Sequence, residues 1–223
     1  MLASQQNDFI KNHLGPAFQK LGLNTKILAY DHNCDKPEYP LEILNDPITR
    51  KYVAGSAFHL YNGDISALGT LRKAHPDKDV YFTEQWTGMK GDFAGDFNWH
   101  IKNVIIGSLV NDAKTALEWN LANDPQWGPH TPGGCTECKG AITIQADGSY
   151  IRNQAYYIIA QASKFIPTGS IRVELNGLPK GINGVAAIRP DKQVAVLLQN
   201  ETNNVIETTI NLAGKHVEVD LPG

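Results

Sequence analysis

Residues 78–86 read Lys-Asp-Val-Tyr-Phe-Thr-Glu-Gln-Trp, a short apolar run that ends in a single carboxylate, Glu84. An unpaired carboxylate is costly to bury, so an acid that finishes an apolar strand needs a chemical reason. The carboxyl end of a barrel strand is where an enzyme places a nucleophile or a general acid. This stretch therefore predicts a buried β-strand with a catalytic type of acid at its end.

Similar apolar runs recur on both sides of this stretch and alternate with helical patterns. Strands are predicted at 26–30, 55–61, 80–83 and 116–120, and the apolar stripe of residues 93–112 predicts a long helix after the third of them. Four βα units in succession predict a parallel sheet with crossover helices.

Polar and aromatic side chains collect where each predicted strand ends. These residues are Asp31, His59, Tyr61, Glu84, Trp86, Trp119 and Asn120. Such clustering is typical of an active face built from βα loops, so we take all seven as catalytic or substrate-binding candidates. No glycine-rich phosphate fingerprint follows any strand, which argues against a nucleotide-binding sheet.

The pattern changes after Tyr150. Residues 153–166 predict one last helix, and short alternating segments separated by turn residues fill 171–221. These segments predict an antiparallel sheet. We therefore expect two domains, a barrel portion at 1–166 and a β-sandwich portion, itself incomplete, at 167–223.

Composition excludes several classes of function. The net charge of −3 gives no basic footprint for nucleic acid, and no apolar run approaches the roughly 18 residues that span a membrane. The polar N-terminus does not read as a secretory signal peptide. The Cys135-x-x-Cys138 pair fits a loop disulfide better than half of a zinc site, although two free thiols are a third alternative.

Four segments together resemble glycoside hydrolase family 30, which includes glucosylceramidases and β-1,6-glucanases. They are Phe82–Trp86, Ala57–Tyr61, Trp119–Ala122 and Ala162–Val173. The resemblance implies a (β/α)8 barrel with an attached β-sandwich, hydrolysis of β-glycosides with retention, and no cofactor or metal. It leaves glucosylceramide and β-1,6-glucan open as substrates.

The resemblance also implies roles for individual residues. Glu84 matches the nucleophile that ends barrel strand seven, and His59 and Tyr61 match the strand-six pair. Trp119 matches the sugar-facing tryptophan of strand eight, and Asp31 occupies a comparable rim position at the end of strand five.

One part of the family pattern is missing. The general acid/base is expected in an Asn-Glu-Pro triplet after strand four, and no such triplet occurs here. Glu118 and Asp31 are poor substitutes, because Glu118 should point away from the barrel centre by strand alternation. The chain therefore corresponds to strands five to eight of the barrel, followed by a partial sandwich.

These observations predict a retaining β-glucosidase-type hydrolase that carries the nucleophile and lacks its acid/base, with little activity alone. A non-catalytic carbohydrate-binding or interaction module is the alternative. Open sheet edges predict a partner, either an N-terminal half-barrel or a second copy of the chain. The full-length parent is expected in a secreted, periplasmic or lysosomal location.

Overall fold

A computed structural model describes all 223 residues of the chain. The strands are β1 (Ile27–Cys34), β2 (Val53–Gly63), β3 (Asp79–Glu84), β4 (Thr87–Gly88), β5 (Ala113–Ala116), β6 (Ala122–Asn123), β7 (Cys138–Lys139), β8 (Ile142–Ile144), β9 (Tyr150–Arg152), β10 (Ile171–Val173), β11 (Ile182–Ile188), β12 (Val194–Asn200), β13 (Ile206–Leu212) and β14 (Lys215–Leu221). The α-helices are α1 (Ala3–Phe9), α2 (Gly15–Lys20), α3 (Glu38–Asn45), α4 (Ser66–Ala74), α5 (Phe93–His100), α6 (Gly107–Val110) and α7 (Gln154–Ser163). π-Helical turns at Ile10–Leu14 and Ile101–Ile106 join α1 to α2 and α5 to α6, and a 3₁₀ turn occupies Thr49–Lys51.

Four strands form the parallel sheet that the sequence predicts. Its order is β1-β2-β3-β5, and all three pairs are parallel. Helices α3, α4 and the α5–α6 segment make the crossovers between successive strands. All carboxyl ends therefore meet along one edge of the sheet, as in half of a (β/α)8 barrel.

One face of this sheet is apolar and packs against the crossover helices. Val80 and Phe82 of β3 are fully buried, and Phe82 lies opposite Phe58 of β2 in the parallel register. Leu68 and Leu71 of α4 belong to the same core and are also fully buried. Each such side chain contributes about 1.5–3 kcal/mol by leaving water, so this face fixes the strand register.

A β-bulge interrupts β3 just before its end. Phe82 lies opposite Phe58 and Glu84 lies opposite His59, so Thr83 is the additional residue on this strand. Simple alternation would place Glu84 on the helix-packed side with Phe82. The bulge instead turns Glu84 toward the side of the sheet that carries His59.

A second irregularity interrupts β1 at the matching level. Tyr30 lies opposite Ala57 and His32 lies opposite Phe58, so Asp31 is left without a register partner. Asp31 has φ 58°, in the left-handed region that aspartate tolerates better than most residues. Asp31 thus occupies an irregular position itself, whereas Glu84 directly follows one.

The C-terminal part consists of antiparallel strands, as predicted. β10, β11 and β12 form one sheet, and β13 and β14 form a separate hairpin. Val185 of β11 is buried in the core cluster of the parallel sheet, which joins the two parts. No helix in the structure combines the length and apolarity required to cross a bilayer.

Candidate active site

Glu84 lies at the carboxyl end of β3 with two side chains of β2 beside it. The Tyr61 hydroxyl donates a hydrogen bond to Glu84 Oε1 over 3.0 Å, and His59 Nδ1 is 3.9 Å from the same oxygen. The Glu84 side chain is 31% exposed, so a ligand can reach it from solvent. The strand register and the bulge together bring these three predicted site residues into contact.

The Tyr61 hydroxyl is held in its protonated, donating form. Burial is the main cause that raises its pKa, and the negative charge of Glu84 raises it further. A phenol that stays protonated beside a carboxylate is a fixed hydrogen-bond donor. Tyr61 therefore orients Glu84 without competing with it as a base.

Asp31 occupies the other side of the His59 ring. His59 Nε2 is 3.1 Å from Asp31 Oδ1, and the Thr83 hydroxyl donates to the same oxygen over 2.8 Å. The hydrogen bond with His59 lowers the pKa of Asp31, an effect that partial burial opposes and Thr83 supports. The imidazole of His59 thus lies between two carboxylates, with one ring nitrogen toward each.

Trp119 lies beyond the last strand of the parallel sheet. The strand predicted at 116–120 is therefore wrong. β5 ends at Ala116, because its ladder pairs only Ala113 and Ala116 with β3. Trp119 then forms an isolated bridge with Trp86, and its amide donates to Gln85 O. Its side chain is 48% exposed, as a platform for a ligand requires.

Two further predicted residues lie near this bridge. Trp86 follows Glu84 by two positions and contacts Trp119 through the backbone bridge. The side-chain oxygen of Asn120 is buried and has no hydrogen-bond partner. A β-carbon at position 140 would lie 2.7 Å from this oxygen, so only glycine there leaves the space beside it open.

Two residues of this site had no role in the sequence prediction. Thr83 is the bulge residue that hydrogen-bonds Asp31, and Gln85 is buried with its amide donating to Leu60 O over 2.8 Å. Gln85 also accepts from the Trp86 amide over 2.9 Å. The polar run Thr-Glu-Gln after an apolar strand was the available signal, because three consecutive polar residues cannot all follow the alternation of a regular strand.

Glu118 forms a buried pair with a helix. Its Oε1 is 2.7 Å from His100 Nδ1 of α5, and its side chain is only 3% exposed. Burial raises the pKa of Glu118, while the hydrogen bond with His100 opposes that rise. Glu118 is therefore engaged with α5, and its charge reaches the candidate site only by adding to the rise in the pKa of Tyr61.

The structure joins Cys135 and Cys138 in a disulfide. Cys138 is buried and belongs to β7, which pairs with β4 directly after the Glu84 segment. The disulfide thus lies in the loop next to the candidate site. No group of three or more His, Cys, Asp or Glu side chains is arranged to hold a metal ion.

Glu84 has no acidic partner among its contacts. Its hydrogen bond and its close ion contact are with Tyr61 and His59. Asp31 contacts the opposite ring nitrogen of His59, and Glu118 is bound to His100. The arrangement presents one oriented carboxylate, an imidazole, a phenol and an exposed indole around an open strand-end face.

Comparison with protein families gives matches over both parts of the chain. Residues 1–166 match the model of the glycosyl hydrolase family 30 TIM-barrel domain, and residues 169–223 match that of the family 30 beta sandwich domain.

Curated relatives match nearly the whole chain. The endo-1,6-beta-D-glucanase neg1 of Aspergillus fumigatus is 38% identical over 213 residues, covering 91% of this chain and 42% of the relative. The lysosomal acid glucosylceramidase of Mus musculus is 29% identical over 220 residues, covering 92% of this chain and 42% of the relative. The chain thus spans less than half the length of these relatives.

Solved structures give the same coverage. The structure of the endo-beta1,6-glucanase BT3312 matches with a TM-score of 0.92 and 33% identity, over 100% of this chain and 52% of that one. SrfJ from Salmonella typhimurium matches with a TM-score of 0.91 and 21% identity, over 100% of this chain and 51% of that one. At this identity the match shows that the two chains share a fold.

Proposed function

This chain belongs to glycoside hydrolase family 30, and we propose that it carries the nucleophile side of a retaining β-glycosidase active site. The observation that supports this most directly is the bulged end of β3. It turns Glu84 to the face of His59 and Tyr61, where the Tyr61 hydroxyl holds the carboxylate at 3.0 Å.

The proposed reaction begins with attack of Glu84 Oε on the anomeric carbon of a β-glycoside. A bond forms between that oxygen and the anomeric carbon while the bond to the leaving oxygen breaks, and a general acid protonates the departing oxygen. The same residue, now a base, then removes a proton from water as the water oxygen bonds to the anomeric carbon, and the bond between that carbon and Glu84 breaks to release the sugar. The Tyr61 hydrogen bond keeps Glu84 aligned for the first step.

The general acid is proposed to come from outside these 223 residues. Retaining enzymes pair the nucleophile with a second carboxyl group that is free to exchange a proton with the leaving group and water. Asp31 is bound by His59 and Thr83, and Glu118 is buried against His100, so both acids already have other partners. General acid catalysis contributes about 10²–10⁴ in rate, so the chain alone should hydrolyse natural glycosides poorly. Activated aryl glycosides should suffer least, because their leaving groups do not need a proton.

We propose a β-1,6-linked glucan as the substrate class of the whole enzyme. The endo-1,6-beta-D-glucanases among the relatives are 36–38% identical to this chain, whereas the glucosylceramidases are 28–30% identical. The exposed indole of Trp119 supplies a stacking surface for a glucose ring. A glycolipid glucoside is the competing substrate.

We further propose that a second polypeptide segment completes the sheet. The order β1-β2-β3-β5 leaves β1 and β5 at the edges, where unpaired backbone groups can pair with another strand. The segment would come from an N-terminal half-barrel or from a second copy. The disulfide of Cys135 and Cys138 supports action in an oxidising compartment.

Covalent labelling tests the nucleophile. The chain is incubated with a 2-deoxy-2-fluoro-β-glucoside bearing a dinitrophenyl leaving group, and the adduct is located by intact mass and peptide mapping. We expect one fluoroglucosyl adduct on Glu84 and none in E84Q.

The control is E137Q, which removes an exposed loop acid that pairs only with Lys90 at 3.3 Å. It should label like the parent chain. An adduct on another residue, or no adduct even when an N-terminal half-barrel is supplied, would remove Glu84 as nucleophile and favour a carbohydrate-binding module.

A further inference from the structure

A polar groove of about 750 Å³ lies on the flank of the barrel portion, between α5 and the loop after β12. Its helix side is formed by Asn98, Trp99, Lys102 and Asn103, and its other side by residues 199–203, with 222–223 at one end. The groove does not include Glu84 or any other residue of the strand-end face.

The sequence of the helix explains why this surface is separate from the core. Ile101, Val104 and Ile105 are buried in the core, so residues on the opposite side of this helical segment face outward. Trp99 and Lys102 are three apart and lie on that outward face. Trp99 is 42% exposed and lines the groove.

The side chains of the groove suit an uncharged ligand with many hydroxyl groups. Trp99 is the one hydrophobic residue of the lining, and amides of Asn98, Asn103 and Gln199 provide both donors and acceptors. The Lys102 ammonium is 2.7 Å from a Glu201 oxygen, so the charges of this pair cancel. Neither an anionic nor a cationic polymer finds unpaired charge here.

One buried atom of the groove lacks a partner. Gln199 donates from Nε2 to Asn98 O over 2.7 Å, but its Oε1 is buried without any hydrogen bond. The residue is only 9% exposed. Buried acceptors are normally hydrogen-bonded. Because Gln199 lines the groove, a ligand bound there is in a position to supply the donor that this oxygen lacks. A sugar hydroxyl is such a donor.

We propose that this groove is a second carbohydrate site, which binds a neutral glucan segment by stacking on Trp99 and by hydrogen bonds to the surrounding amides. An indole face flanked by amides matches the apolar face and equatorial hydroxyls of a β-linked glucose ring. The site would hold a polymer on the flank of the barrel independently of the strand-end face.

Affinity electrophoresis of the whole chain in gels that contain a soluble β-1,6-glucan tests this site. The E84Q/W119A variant removes the main contacts of the strand-end face. We expect it to remain retarded by the glucan. Adding W99A should weaken the apparent association constant at least about tenfold, and N98A, which changes an exposed side chain, should weaken it in the same direction.

The matched control is F9A in the same background, because Phe9 is a comparably exposed aromatic on another helix, 46% against 42%. It should not change retardation. An acidic polysaccharide in the gel should not retard the chain. Loss of retardation in E84Q/W119A, unchanged retardation with W99A, no retardation of the parent, or equal binding of the acidic polymer would each overturn the proposal.

The labelling experiment separates this site from the proposed catalytic role. W99A should still accept the fluoroglucosyl adduct on Glu84, because Trp99 lies outside that site. Retardation that depends on Trp99 in a chain whose Glu84 is never labelled would support the groove and refute the nucleophile. Labelling of Glu84 in a chain that the glucan does not retard would support the nucleophile and refute the groove.

Discussion

Replacing Glu118 by alanine should destabilise the chain, whereas replacing it by glutamine should not. Glu118 Oε1 is 2.7 Å from His100 Nδ1, and its side chain is 3% exposed. Alanine leaves a buried imidazole nitrogen without its hydrogen-bond partner. Glutamine keeps an oxygen at that position while it removes a charge from a buried site.

The magnitude follows from what alanine removes. An orphaned buried donor or acceptor costs about 1–3 kcal/mol. Alanine keeps Cβ, so it also removes one methylene, Cγ, which contributes about 0.8 kcal/mol. Relief of a buried charge offsets part of this sum, so E118A should lose about 2–3 kcal/mol, a decrease in Tm of roughly 4–12 °C for a chain of this size. E118Q should remain within about 1 kcal/mol of the parent.

The pH dependence of stability tests the effect of the buried Glu118 charge separately from the effect of the lost contacts. Burial raises the pKa of Glu118 above its ordinary value, against the hydrogen bond with His100. Folding therefore favours the protonated acid, and its contribution to stability is present below the ordinary glutamate range and lost as the pH rises through the folded value. E118Q cannot titrate, so its stability relative to the parent should improve between about pH 4 and pH 7.

Urea denaturation, monitored by circular dichroism, measures the free energies of unfolding of the parent and the variants at about pH 4 and about pH 7. E201Q is the control, because it removes the exposed partner of Lys102 near the same helix and should change stability by less than about 1 kcal/mol. The reasoning is refuted if E118Q is as destabilised as E118A, or if E118Q loses stability relative to the parent as the pH rises.

Three further predictions concern other parts of the chain. A hydrogen bond from Lys11 is the main cause that lowers the pKa of Asp46, so the stabilisation by this carboxylate is present above the ordinary aspartate range and lost as the pH falls through the folded value. D46N should unfold at lower urea than the parent near pH 7, and the difference should narrow as the pH falls below the ordinary aspartate pKa of about 4. The disulfide of Cys135 and Cys138 closes only a short loop, so C135S/C138S should lose no more than about 2 kcal/mol, and a larger loss in urea denaturation would require another explanation. W119A should weaken binding of a β-1,6-linked glucose oligosaccharide at the strand-end face about tenfold by calorimetry, whereas unchanged affinity would exclude the stacking role.

The sequence was sufficient for the order of elements and for the fold class. Apolar strands alternating with helical patterns predicted the parallel sheet, because crossover helices between successive strands leave little other topology. The short alternating segments after residue 170 predicted the antiparallel strands. The motif around Glu84 indicated the family, which the match to both family 30 domains shows.

Strand limits near the site were less accessible to sequence reasoning. The prediction of a strand at 116–120 was wrong, because the ladder with β3 ends at Ala116 and Trp119 makes only a single bridge with Trp86. Trp119 and Trp86 have the apolar, aromatic character of strand residues, so composition alone could not separate an end of the sheet from a loop that rests on it.

The sequence by itself determined that an acid ends the third strand and which family motif contains it. The tertiary structure decided which way that acid faces. Alternation from Phe82 would turn Glu84 toward the helices, and the bulge at Thr83 turns it toward His59. A bulge depends on how two strands pair across the sheet, so the polar run Thr-Glu-Gln indicates an irregularity but not which residue is displaced or which way Glu84 turns.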